Sequence, residues 1–154
     1  MKNLFNHPAW IDISLLLARL ALGIYMLIAG WIKMAGGVGT FVDGSFMKLK
    51  PEWLPDSFAR PYGYALPFLE LVTGLGLALG LFTRISAGII TLLLISIAIA
   101  VISEKGLAGG APGPIHPSVI FATLALVLMV LGSGRLALDP LYFAGGESGG
   151  GKKK

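Results

Sequence analysis

Cysteine is absent from all 154 residues of the chain. That excludes thiol–disulfide chemistry of its own, thiolate-held iron–sulfur clusters and thiolate metal sites. Histidine is nearly as scarce. The two present, His7 and His116, are predicted on opposite sides of a membrane, so haem ligation by paired intramembrane histidines is excluded within one chain. Neither supplies a second nitrogen ligand to the other, and no metal site is predicted. Charge is also in short supply: Asp, Glu, Lys and Arg make up 13% of the chain, against about 25% in an average soluble domain. The net charge of +4 comes from lysines in loops and tail. It forms no basic groove interleaved with aromatics, so no nucleic-acid partner is expected. The "GGVG" at 36–39 follows an apolar helix rather than a strand and is no phosphate loop. No serine–histidine–acid set is evident from spacing.

What is present is apolar. Hydrophobic residues make up 55% of the chain, and the mean hydropathy is +0.81. So little polar surface cannot cover a water-soluble globule, and the sequence reads as an integral membrane protein of one domain. Four runs account for the excess, with helices expected at about 13–34, 62–82, 84–102 and 118–135. A helix rises 1.5 Å per residue, so roughly 20 residues cross a hydrocarbon core of about 30 Å. None of the runs alternates with a period of two, which argues against a β-barrel, and backbone in lipid must satisfy its own hydrogen bonds. The expected fold is all-α, a bundle of four transmembrane helices spanning 13–139.

Around this domain lie an N-terminal interfacial or cytoplasmic segment, 1–12, and a glycine-rich basic tail, 140–154. The start of the chain reads as an uncleaved anchor: its apolar run is too long for a signal peptide and ends in no clean cleavage site. Trp10 and Trp31 are expected at the two interfaces. Lys2, Arg84, Arg135 and Lys152–Lys154 fall on one side. Lys33, Lys48, Lys50, Arg60 and Lys105 fall on the other. Arg84, in a short turn, and Arg135, next to the fourth helix, are the juxtamembrane positions that weigh most, so both termini are expected in the cytoplasm and the protein in the inner membrane. The tail reads either as a native polybasic segment that touches anionic lipid or as a flexible, solubilising end. Residues 36–61, with Phe41, Phe46, Trp53 and Phe58 among prolines and charges, are expected to lie on the outer surface and cap the bundle.

Two charges fall inside the apolar runs. Arg19, Gly23, Met26, Gly30 and Lys33 make one stripe of the first helix, and a stripe mixing charge with glycine faces a partner helix rather than lipid. On the second helix Glu70 shares its face with Thr73, Gly74 and Leu77. A charge at the centre of a helix costs about 2.5–3.5 kcal/mol to insert, so the bundle is expected to pair the two. Residue counts put Arg19 and Glu70 on the order of 10 Å apart along the membrane normal, a gap that an extended arginine closes directly or through water or Tyr25. Such a pair can simply fix how helices dock. A desolvated carboxylate can also exchange a proton with a ligand, which makes Glu70 the more interesting partner.

The stretch "LLLARLALGIYMLIAGWIKMAGG" resembles the opening of the DoxX/DoxD family of small membrane proteins, with Arg19, Gly30 and Lys33 at the corresponding places. "LPFLELVTGLGLALGLFTRISAGIITLLLISIAIA" resembles the family's second and third helices, with Glu70 and the turn at Gly80–Arg84. "LGSGRLALD" resembles its ending after the fourth helix. The chain departs in carrying Ala29 where many members have a histidine.

The resemblance implies an accessory or anchor subunit of a larger, redox-related membrane complex, embedded in lipid among other membrane subunits. The alternative it implies is a quinone-contacting subunit of a thiosulfate:quinone oxidoreductase type. In that case Gly23, Met26, Gly30 and Gly74 would form a groove for the quinone tail. Glu70 and His116 would handle protons, and His116 or Lys33 would meet the electron donor. Arg84, Arg135 and Asp139 would form a cytoplasmic charged cluster where helix ends meet. No covalently held cofactor is implied, only quinone and lipid.

Overall fold

A computed structural model describes residues 8–108 and 115–139. The expectations for Lys2, His7 and the tail 140–154 lie outside the described residues. The order is α1 (Pro8–Ala35), α2 (Val38–Phe41), a π-helical stretch (Val42–Phe46), α3 (Asp56–Leu79), α4 (Thr83–Lys105) and α5 (Pro117–Leu131). The described residues are all helix, turn and loop, without a strand.

Three helices, α1, α3 and α4, are long and apolar enough to cross a membrane. Their outward faces carry Leu17, Ile28, Val72, Leu92 and other large apolar side chains, exposed as only a lipid solvent favours. Trp10 and Trp31 are both exposed, and the 21 steps along the helix from one to the other rise about 31 Å, close to the hydrocarbon thickness. Two buried threonine hydroxyls bond within their own helices: Thr91 donates to the Ala87 carbonyl at 2.8 Å and Thr73 to that of Leu69 at 2.5 Å.

Helix ends differ from the sequence expectation for local reasons. α3 starts six residues earlier, with Asp56 in its first turn. It stops at Leu79 because Gly80 adopts a left-handed conformation (φ 70°). The Leu81 N–H then bonds back to the Gly76 carbonyl and the Gly80 N–H to that of Leu77, which satisfies carbonyls the helix would leave open. Arg84 therefore lies in the first turn of α4, not in the connecting turn. α5 is the largest difference. It ends at Leu131, where Gly132 takes φ 85°, and its 15 residues rise only about 22 Å. Residues 132–138, which are expected partly in helix, form a strap of successive bends instead, with Asp139 at its end.

α1 packs antiparallel on α3, α4 packs on α5, and α3 joins the two pairs. The shared core holds Leu22, Met26, Leu77, Ile90, Leu94 and Leu128. The α1–α3 seam depends on glycine. A Cβ on Gly23 would lie 2.8 Å from the Ala78 nitrogen, and one on Gly74 2.9 Å from the Gly23 carbonyl oxygen. Such backbone-to-backbone contact leaves no space between the helices.

Candidate functional site

The seam sets which charges meet. Gly23 faces Gly74 and Gly30 faces Pro67. In this antiparallel register Arg19, four residues before Gly23, is level with the end of α3, and a Cβ on Gly80 would overlap its guanidinium. Glu70 is level with Gly30, whose missing side chain lets the Glu70 Cβ approach. The expected Arg19–Glu70 pair is therefore not made: the two residues lie about 16 Å apart in depth, the rise of the helix from Arg19 to Gly30.

Glu70 pairs with Lys33, one helical turn beyond Gly30. The Lys33 ammonium lies 2.6 Å from each carboxylate oxygen of Glu70. The Glu70 side chain is 2% exposed and that of Lys33 21%. Nζ also sits 5.4 Å from the centre of the Phe41 ring, a favourable place for a cation.

In front of Lys33 an apolar cavity of about 440 Å³ opens between the 41–58 segment, the N-terminal half of α3 and the C-terminal half of α4. Phe46, Trp53 and Phe58 line one side, Tyr62 and Leu66 the back, and Ser96, Ile97 and Ile99 to Val101 of α4 the other side. Phe46 lies over Gly63, where a Cβ would come within 2.8 Å of the ring, and continues a ladder of rings from Phe41 to Tyr62. The Tyr62 hydroxyl is 2.5 Å from that of Ser96, tying α3 to α4 at the cavity wall. Lys50–Asp56 (3.1 Å) and Arg60–Asp43 (2.8 Å) fasten the overlying segment to α3. Exposed as these pairs are, each contributes at most about 1 kcal/mol. The segment thus caps one end of the bundle, as expected, although Phe58 belongs to α3 itself.

The remaining expected site residues fall elsewhere. Gly23, Gly30 and Gly74 are consumed by helix packing and Met26 is buried, so they form no groove for a ligand tail. His116 caps α5: its Nδ1 accepts the Ser118 N–H at 3.3 Å, an interaction the proton-handling expectation did not foresee. At the opposite end of the bundle, Arg19 is 1% exposed and its Nη2 donates to the Leu136 carbonyl of the strap. Its Nε and Nη1, like Thr83 Oγ1, are buried without a hydrogen-bond partner among the described residues.

Asp139, at the end of the strap, accepts the Phe82 and Thr83 N–H groups at 2.6 and 3.0 Å and so caps α4. Asp12 accepts the backbone N–H of Arg135 at 2.8 Å. The Arg84 side chain lies against Gly132. Arg84, Arg135 and Asp139 do meet at one end, but as a cap and a strap anchor, with no ion pair among the three within the described residues.

Sequence reasoning missed the Lys33–Glu70 pair and the Tyr62–Ser96 bond. The signal for the first was available: Lys33 lies on the stripe with Gly30, and glycines on both helices fix the register. Among the described residues no three histidine, aspartate or glutamate side chains gather as metal ligands do.

An all-helical chain whose long helices turn apolar faces outward and bury an ion pair inside defines a helical integral membrane protein. The DoxX family model matches residues 14–103, more than half the chain, and the protein belongs to the DoxX family. The match covers most of α1, all of α3 and nearly all of α4. Comparison with curated proteins and with solved structures gives no match.

Proposed function

We propose that the chain is a four-helix inner-membrane subunit of a larger, redox-related membrane assembly, and that its own share of the work is to contact a quinone. α5 would be the fourth crossing, completed by the strap. With both termini in the cytoplasm, the cavity would face the outer leaflet. The observation that carries this reading is the 440 Å³ apolar cavity with an ammonium group in its wall. Its size is that of a small-molecule site. A quinone ring is flat and apolar, with carbonyl oxygens that accept hydrogen bonds. Lys33 supplies a charged donor for one carbonyl, while the Tyr62 and Ser96 hydroxyls, spent on Ser96 and on the Leu93 carbonyl in turn, shape the wall without donating to the ligand. Glu70 would act through Lys33, fixing the ammonium with both of its oxygens. Electrons would come from a partner subunit.

A second reading has its own support. Both oxygens of Glu70 are already engaged by Lys33, as in a pair whose task is to dock helices, and this favours a purely accessory or anchoring subunit.

Purification in mild detergent separates the two, with mass spectrometry of bound quinone and of partner proteins. Wild type is compared with the charge-free Lys33→Met/Glu70→Met variant. The quinone reading expects quinone with the wild type and its loss from the variant, while the partners stay. Partners from both forms with quinone from neither would leave the accessory role alone.

A further inference from the structure

A second apolar hollow, also of about 440 Å³, lies between α4 and α5. Its walls include Ala98 and Ile102 from α4, and Ala122, Thr123 and Leu126 from α5. Ile99 is common to this groove and to the cavity beside Lys33. Along α4, residues 96, 97, 100 and 101 border the cavity, whereas 95, 98, 102 and 103 border the groove. Ile99 is the divide, and it is half exposed.

We infer that a ligand whose polar head sits by Lys33 passes its hydrocarbon tail over Ile99 and lays it in the α4–α5 groove. The inference rests on the head-group reading above. Three observations carry it. The cavity is backed by α3 and roofed by the 41–58 segment, which leaves the α4 side as an exit for a tail longer than the cavity. The groove is continuous with that exit through a shared residue.

The third observation is the groove's chemistry. Small residues, Ala98 and Ala122, lie along it, and its Thr123 hydroxyl already donates to the Ile120 carbonyl at 2.7 Å, so hydrocarbon there strands no polar group of that residue. Towards the other end the same two helices close up, with Met129 against Gly88, so the groove is confined to the half of the pair that borders the cavity.

Lipid tails are as apolar as the groove, so a ligand tail gains no hydrophobic transfer energy by entering it. The gain comes from packing against a fixed surface. A preference on the order of tenfold for a long tail, about 1.4 kcal/mol, is therefore expected once the two ligands are compared at equal mole fraction in the bilayer.

The test uses the full chain in phosphatidylcholine nanodiscs, with Trp10→Phe and Trp31→Phe so that Trp53, at the cavity wall, reports binding by quenching. The probes are a decyl-tailed benzoquinone and the same ring with a polyprenyl tail. The base protein should bind both and prefer the long tail about tenfold. Thr123→Phe, which fills the groove from an exposed position, should abolish that preference and leave decyl-quinone affinity unchanged. Ala122→Leu should do the same from the neighbouring position. Equal affinity for the two probes in the base protein would show the groove to hold bulk lipid and would overturn the inference, with the head-group reading intact. A preference that survives both substitutions would overturn it too. Failure of either probe to bind would remove the head-group reading, and this inference with it.

Discussion

Replacing Lys33 by methionine is expected to be among the most costly single changes in the α1–α3 seam. The substitution keeps the length and apolar stem of the side chain and removes the ammonium. Glu70, 2% exposed and bonded through both oxygens to that one group, would be left as a buried carboxylate without a partner. Breaking a buried pair from one side costs about 3–5 kcal/mol. At about 2–4 °C per kcal/mol for a chain of this size, the thermal midpoint in detergent should fall by roughly 6–20 °C.

The reciprocal change should cost less. Lys33 keeps 21% exposure and lies in the last turn of α1, so in Glu70→Met its flexible stem can carry the charge towards the interface. The double variant Lys33→Met/Glu70→Met removes both charges and fills the space with side chains of similar volume. It should return to within about 1 kcal/mol of the wild type. A thermal or denaturant titration of all four proteins, read as a double-mutant cycle, checks the set. If Lys33→Met unfolds within about 0.5 kcal/mol of the wild type, or if the two single losses simply add in the double variant, the ion pair does not hold the seam and the register argument loses its energetic support.

Two further outcomes follow from the same contacts. Gly74→Leu would drive a side chain into the Gly23 carbonyl and the Leu27 nitrogen. It should separate α1 from α3 and cost at least the 1–3 kcal/mol or so typical of overpacking, seen as a lost crosslink between cysteines introduced at positions 27 and 71. Asp139→Ala should remove the side-chain cap on α4 at a cost of about 0.5–2 kcal/mol, and hydrogen exchange should accelerate at Phe82 and Thr83 while α1 keeps its protection.

The helices α1, α3 and α4 were legible because each is a long apolar run, and in lipid such a run has only one way to satisfy its backbone. Their ends were not, because they are set from outside the run. α4 begins where Asp139, remote in sequence, caps it, and α5 stops early because Gly132 leaves helical space. The charge pairing failed for a different reason. Counting depth from assumed membrane faces placed Arg19 near Glu70, whereas the register is fixed by Gly23 against Gly74 and Gly30 against Pro67. Those glycines had been read as a groove for a ligand, when the backbone of the facing helix already fills the space they leave. The capping role of the 36–61 segment was visible in its aromatics. The cavity beneath it was not, since its walls come from three stretches distant in sequence.

The two intramembrane cations now separate by what surrounds them. Arg19 is enclosed: its neighbours are Gly80, the Leu136 carbonyl and the strap that Asp139 fastens to α4. A group so completely packed can order the end of a bundle, but no ligand can reach it without first displacing the strap. Lys33 is held just as firmly by Glu70, yet one side of it faces open, apolar space. In that space a charged donor is undiluted by water, and its interaction with a carbonyl oxygen is correspondingly strong. Any molecule that enters the cavity meets the ammonium directly, and feels Glu70 only through the orientation and charge that Glu70 imposes on Lys33. The difference between the two ends is one of access, and on the proposed reading it is access that favours Lys33 over Arg19 as the group a ligand would meet.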